Sequence, residues 1–250
     1  MAGFATVGRS TRQLLATLPA VGLVSIAFAL RIFRLEAQSL WYDEAISVYY
    51  SAKDLPDLFS YLTRDNHPPL YFVLLHYWMA LMGRSEFAIR LLSLVAGVVE
   101  IPLLYVLGRR LLGTHNYAGA LAALIAALSP WHVWYSQETR MYSLATALGL
   151  LSIYLLLRAS THNVPSIWVA YSLASVAGLY THYYVALLLL GQAVFFICRV
   201  LISTEPKKLL AHWLISQIGV LVLFLPWSGV LLTRAQSDTT FWPGTMTLGA

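Results

Sequence analysis

The sequence predicts an all-α fold: a polytopic transmembrane helix bundle with a membrane-surface first external loop that carries short amphipathic helices. Three observations lead there. Hydrophobic residues make up 59% of the chain and charged residues 11%, with a mean hydropathy of +0.68. Several apolar runs approach the ~20 residues that cross ~30 Å of hydrocarbon. No segment alternates as barrel strands do, which leaves helices, whose backbone groups satisfy one another in lipid.

The chain opens with a helix over about 14–32, with Arg9 and Arg12 before it and Arg31 and Arg34 at its far end. Its apolar run is longer than a signal-peptide core and lacks a small-residue cleavage pattern, so it reads as a retained first helix. An external loop follows over about 34–86. Between Glu36 and Asp65 this loop holds six of the eleven carboxylates, with Asp43 and Glu44 side by side in Leu40-Trp41-Tyr42-Asp43-Glu44-Ala45. Charge this sparse and this clustered marks a working loop, flanked by aromatics suited to the headgroup region. Within it, Asp54 is placed to cap a short helix whose apolar residues Leu55, Leu58, Phe59 and Leu62 recur at helical spacing, an amphipathic element lying on the membrane. The run from Leu70 to Met82, between Pro68-Pro69 and Gly83-Arg84, is shorter than a span and reads as interfacial or re-entrant.

Further helices fill 87–232, at 87–108, 117–129, 141–158, 165–181, 183–202 and 212–232, with brief connections. The whole chain, 1–250, is a single transmembrane module. Its last residues, with Phe241-Trp242-Pro243-Gly244, stop without a cap or a closing helix, as in a chain truncated at its C-terminus.

The net charge of +5 does not point to nucleic acid, because the basic residues stand in small groups at helix ends. They orient the chain instead. If 70–82 does not cross, eight of the sixteen Lys and Arg residues face the cytoplasm; if it crosses, six do. The positive-inside rule favours the first. That choice puts Asp43, Glu44, His67, Arg84, Arg90, Glu138, Arg140 and His182 on one non-cytoplasmic face. The single cysteine, Cys198, excludes an intramolecular disulfide and a zinc site built on thiolates.

Each candidate residue has a plain alternative. Asp43 is either a working carboxylate or the N-cap of a helix that continues through Ile46, Tyr49 and Tyr50. Glu138 and Arg140, the only Asp, Glu, Lys or Arg between Arg110 and Arg158, are either ligand contacts or part of an interfacial aromatic belt. His67 and His182 are either metal ligands or hydrogen-bonded interfacial imidazoles. Glu100, in an apolar run, is either a functional intramembrane acid or a neutral one bonded to a helix carbonyl.

Trp41-Tyr42-Asp43-Glu44-Ala45, His67-Pro68-Pro69-Leu70-Tyr71, Arg90, Tyr135-Ser136-Gln137-Glu138-Thr139-Arg140-Met141-Tyr142 and Thr181-His182-Tyr183-Tyr184 follow in this order. The set resembles the N-terminal part of a bacterial glycosyltransferase of the GT-C superfamily, in the branch of protein O-mannosyltransferase-like and aminoarabinose-transferase-like enzymes. It covers about residues 30–230. The resemblance implies a multi-pass enzyme of the inner membrane that takes a sugar from a polyprenyl-phosphate carrier on the outer face. It passes the sugar, with inversion, to a hydroxyl of a lipid, glycan or protein. The acidic residue of the family's first external loop matches Asp43, with Glu44 beside it, as the catalytic pair. Substrate contacts fall to His67, Arg90, Tyr135, Glu138, Arg140, His182 and Tyr183. No cofactor is certain; a divalent metal on His67 and His182 is the candidate. Family members usually carry more helices and often a soluble C-terminal domain.

The chemistry explains the residue types. A hydroxyl is a weak nucleophile, so a carboxylate must take its proton as the glycosidic bond forms. The leaving group is a phosphate monoester with a second pKa of about 6, which needs positive charge rather than a general acid. Guanidinium forks suit its oxygens. The competing classes are a scaffold that only binds a lipid-linked sugar and a transporter coupled through Glu100. Transporters place polar groups at the midplane, whereas here they gather in loops at one surface.

Overall fold

The computed structural model describes residues 9–112 and 117–237. These form the helices α1 (Arg9–Ile32), α2 (Tyr42–Ser51), α3 (Leu55–Leu62), α4 (Leu70–Met82), α5 (Glu86–Leu111), α6 (Tyr117–Leu128), α7 (Pro130–Ser136), α8 (Tyr142–His162), α9 (Pro165–Thr181), α10 (Val185–Leu201) and α11 (Pro206–Ser237). No strand occurs among the described residues.

Among the described residues, three helices are long and apolar enough to cross a membrane alone: Glu86–Leu111, Tyr142–His162 and Pro206–Arg234. α6 and α7 add a fourth span if the pair, bent by 60°, is taken as one. α9 and α10 have 17 residues each and are roughly 25 Å long, at the short end of the spanning range. α4, with 13 residues, reaches only about 20 Å and falls short of it. The chain is therefore a helical membrane bundle, and Leu187, Leu190, Leu221 and Leu225 on its outer surface face lipid rather than a core.

α5 is the central helix. Ser85 caps it, its side chain accepting the Ala88 N–H at 3.2 Å. Its length packs against α1, α4, α6, α7 and α8, because Ala88, Ser93, Ala96 and Gly97 keep its buried face narrow enough for close helix approach. Leu23 and Ala27 of α1, Ile101 and Tyr105 of α5, and Ala123, Ala126 and Ala127 of α6 form one core cluster. Gly119 makes that contact fit, since a methyl there would collide with the Tyr105 carbonyl. α8, α9, α10 and α11 build a second cluster with Trp168 and Tyr171 of α9 and Phe196 of α10 in it.

The external loop folds as expected from Asp54 onward. Asp54 Oδ1 accepts the Asp57 N–H at 3.0 Å, and α3 buries Leu58 and Leu62 against Phe72 of α4 and Trp227 of α11. The helix expected over 117–129 is α6. The segment after it is not a plain loop. Pro130, with no N–H to continue the ladder, starts a new helix, and α7 carries Trp131 to Tyr135 of the expected aromatic loop. The terminal Phe241-Trp242-Pro243-Gly244, on which the reading of a truncated end rests, lies outside the described residues.

Candidate active site

Trp41 is the N-cap of α2, with Asp43 and Glu44 in its first turn. The capping reading of Asp43 therefore gives way: it is Glu44 that reaches back, accepting the Trp41 N–H on Oε2 at 3.4 Å. Both carboxylates lie at the positive end of the helix dipole.

Glu44 is 1% exposed and locked. Arg90 of α5 grips it with a fork, Nε to Oε1 at 2.9 Å and Nη2 to Oε2 at 2.8 Å. The Thr139 N–H donates to Oε1 at 2.8 Å. Burial alone would raise the Glu44 carboxyl, but the Arg90 fork and the N–H groups of Thr139 and Trp41 outweigh it and hold the group below its ordinary value. Arg90 spends its remaining donor, Nη1, on the carbonyls of Leu35 at 2.9 Å and Gln38 at 2.8 Å. This pair ties α2, α5, the start of the external loop and the segment after α7 into one frame. Neither side chain has capacity left for a substrate.

Asp43 is the opposite case. Its side chain is 36% exposed, and Oδ2 lies 3.8 Å from Arg140 Nη2. Arg140 follows α7 and is nearly buried. Its Nη1 donates to the Asp43 carbonyl at 3.3 Å and to Ser47 Oγ at 3.2 Å, and its Nη2 approaches His67 Nε2 at 3.1 Å. An arginine can only donate, so Nε2 accepts and His67 carries its proton on Nδ1, which donates to Asp65 Oδ1 at 2.8 Å. Arg140 Nε is buried with no hydrogen-bond partner among the described residues. Burial pushes the Asp65 carboxyl up, but His67, the Asn66 N–H and Tyr50 bring it below its ordinary value. A line Tyr50, Asp65, His67, Arg140, Asp43 results.

Glu138, two residues from Arg140, is 8% exposed. Its Oε2 has no hydrogen-bond partner among the described residues. Burial first, and then the charges of Glu44 and Asp43, raise this carboxyl despite a hydrogen bond from Trp134 and the charge of Arg140. Glu138 lines a cleft of about 910 Å³. Its polar wall also holds Arg34, Gln38, Glu44 and Arg90, and its aromatic wall Trp41, Trp134, Tyr135 and Tyr142. Tyr135 stands against Tyr142 with ring centres 4.9 Å apart.

His182 ends α9, and its ring meets Tyr142 at 5.9 Å. Burial, then the charges of His67 and Arg140, depress its imidazole below the ordinary value. Tyr183 is turned to another task, its hydroxyl accepting the Trp227 Nε1 proton at 2.9 Å. His67 has both ring nitrogens engaged, and no three His, Cys, Asp or Glu side chains among the described residues are grouped to hold a metal ion. Glu100 is bonded not to a helix carbonyl but to His132, Oε2 to Nδ1 at 2.7 Å.

Sequence reasoning passed over Asp65, Ser47 and Thr139. Asp65 had a signal, an acid two residues before His67 in Asp65-Asn66-His67. Ser47 and the Thr139 amide had none, because their partners are distant in the chain.

No curated protein and no solved structure matches the chain. A family match covers residues 66–229 and takes in His67, Arg90, Tyr135, Glu138, Arg140, His182 and Tyr183, whereas Asp43 and Glu44 precede it. Spanning about two thirds of the sequence, that match shows that this helical membrane protein is a GT-C glycosyltransferase belonging to the dolichyl-phosphate-mannose-protein mannosyltransferase family.

Proposed function

We propose that the chain transfers a sugar from a polyprenyl-phosphate carrier to a hydroxyl acceptor, with inversion, on the outer face of a bacterial inner membrane, and that Asp43 is the base. The observation that carries this reading is the contrast between neighbours. Glu44 has its oxygens committed to Arg90, Thr139 and Trp41, while Asp43 is part-exposed beside Arg140.

In the reaction, Asp43 takes the acceptor's proton as the acceptor oxygen bonds to the anomeric carbon. The bond from that carbon to the phosphate oxygen breaks, and its electron pair leaves with the phosphate. Attack opposite the leaving group inverts the centre. Arg140, with Arg34 on the cleft wall, supplies positive charge for the departing phosphate. Glu138 accepts a sugar hydroxyl, and Trp41, Trp134, Tyr135 and Tyr142 wall off the sugar from bulk water. Glu44 and Arg90 hold this machinery in place rather than touching the substrate, which revises the role expected of them.

Transfer of sugar by Asp43→Asn, Asp43→Ala and Glu44→Gln, each reconstituted as the full chain, tests the assignment. Asp43→Asn keeps the side chain's shape and should lose about 10²–10⁴-fold in rate, the scale of a general base, with an unchanged melting temperature. Asp43→Ala should be no less active than Asp43→Asn. Near-native transfer by Asp43→Asn would remove Asp43 from the chemistry and leave Glu138 as the candidate base.

A further inference from the structure

Arg31 lies in α1, outside every motif used so far, and is fully buried. α6 ends at Leu128 and α7 starts at Pro130, the two bent by 60°. There the last carbonyls of α6 lose their helical partners beside the buried Ala126 and Ala127. Arg31 meets that need. Its Nη1 donates to the Ala127 carbonyl and its Nη2 to the Ala126 carbonyl, both at 3.4 Å, and Nη1 also reaches the Ala27 carbonyl of its own helix at 3.3 Å. A cation suits the negative end of the α6 dipole.

The same guanidinium continues beyond the break. Arg31 Nε donates to Ser136 Oγ, at the end of α7, at 3.1 Å. Gly97 of α5 leaves the space for this: a methyl there would collide with Ser136 Oγ. The next residue, Gln137, donates its Nε2 to the carbonyls of Arg31 at 3.0 Å and Phe33 at 2.9 Å. Glu138, Thr139 and Arg140 follow at once. On the other flank of α7, His132 Nδ1 is bonded to Glu100 Oε2. A fully buried arginine in a membrane protein is costly and calls for a function.

We propose that Arg31 is a positioning residue for transfer: by holding the end of α6 and Ser136 together, it sets where Glu138, the Thr139 amide and Arg140 stand against Glu44 and Asp43. The proposal rests on the glycosyltransfer reading for its rate effect, but not for its structural effect. Two variants of the full chain separate positioning from mere stabilisation. Arg31→Lys keeps the charge and loses the fork that spans both helices. Ser136→Ala leaves the caps on α6 intact and cuts the tie from Arg31, together with the bonds of Ser136 Oγ to the His132 carbonyl and Ser143 Oγ. Ser143→Ala, which removes only the last of these, is the control and should leave exchange over 137–141 unchanged.

The first measurement is hydrogen exchange of the backbone amides of 137–141, with α9 as an internal control. In both variants 137–141 should exchange about tenfold faster, the mark of a local opening made easier, while α9 is unchanged. The second is kcat for transfer on the folded fraction, which should fall about 10²-fold, as displacement of catalytic groups by an ångström does. Unchanged exchange over 137–141 in Ser136→Ala would overturn the proposal and leave Arg31 a cap of α6 only, whatever happens to melting temperature. Faster exchange with unchanged kcat would overturn it as well. Faster exchange in variants of a wild-type chain that transfers no sugar would uphold the tie and reject the glycosyltransfer reading instead.

Discussion

Replacing Glu44 by Gln keeps the shape of the side chain and removes the charge that Arg90 faces at 2.8 Å. Leaving one partner of a buried pair alone costs on the order of 3–5 kcal/mol. Because the folded Glu44 carboxyl lies below its ordinary value of about 4.5, its contribution is complete above that value and fades as the pH falls through the lower, folded one. Thermal unfolding in detergent between neutral and acid pH should therefore show a large deficit for Glu44→Gln at pH 7 that shrinks in strong acid. A constant deficit at every pH would mean that packing, not the ion pair, is what Glu44 supplies. Asp43 and Glu44 are indistinguishable as neighbours in a sequence. What separates them is a partner 46 positions along the chain and an amide 95 positions along, and neither distance leaves a local pattern.

At the scale of elements, caps, prolines and glycines carried most of the information. Asp54 and Ser85 start α3 and α5, and Pro130, Pro165 and Pro206 start α7, α9 and α11, as a missing or unneeded N–H requires. Composition alone could not show the 60° bend between α6 and α7 at Pro130, because an apolar run does not record its own bend. Gly119 belongs to this scale too. Gly119→Ala should push α6 off α5 and destabilise the bundle by about 1–3 kcal/mol, the usual cost of overpacking, read as a lower melting temperature. An unchanged melting temperature would show that α6 can slide aside without loss. The exchange of 137–141 would then report whether the slide reaches the site.

For the whole molecule, the testable matter is sidedness. α4, with 13 residues, is short for a span, and the expected outcome is that the loop before it and the start of α5 share one face. Gln38→Cys and Glu86→Cys, each in a Cys198→Ser background, should react with an impermeant thiol reagent from the same side of sealed vesicles, and reaction from opposite sides would place α4 across the membrane. The sequence by itself determined the class of molecule, a helical membrane bundle, since an apolar chain in lipid has few other ways to satisfy its backbone. It also singled out candidate residues for chemistry, because charged groups are rare enough in this chain to stand out. Only the tertiary structure decided how they divide the labour. Burial and partners within 4 Å, not residue type, turn Glu44 and Arg90 into a frame, leave Asp43 open beside Arg140, and bring Arg31 from the first helix to the end of α7. Electrostatic and hydrogen-bond energies depend on distances of a few ångströms between residues far apart in the chain, and those distances exist only once the helices have packed.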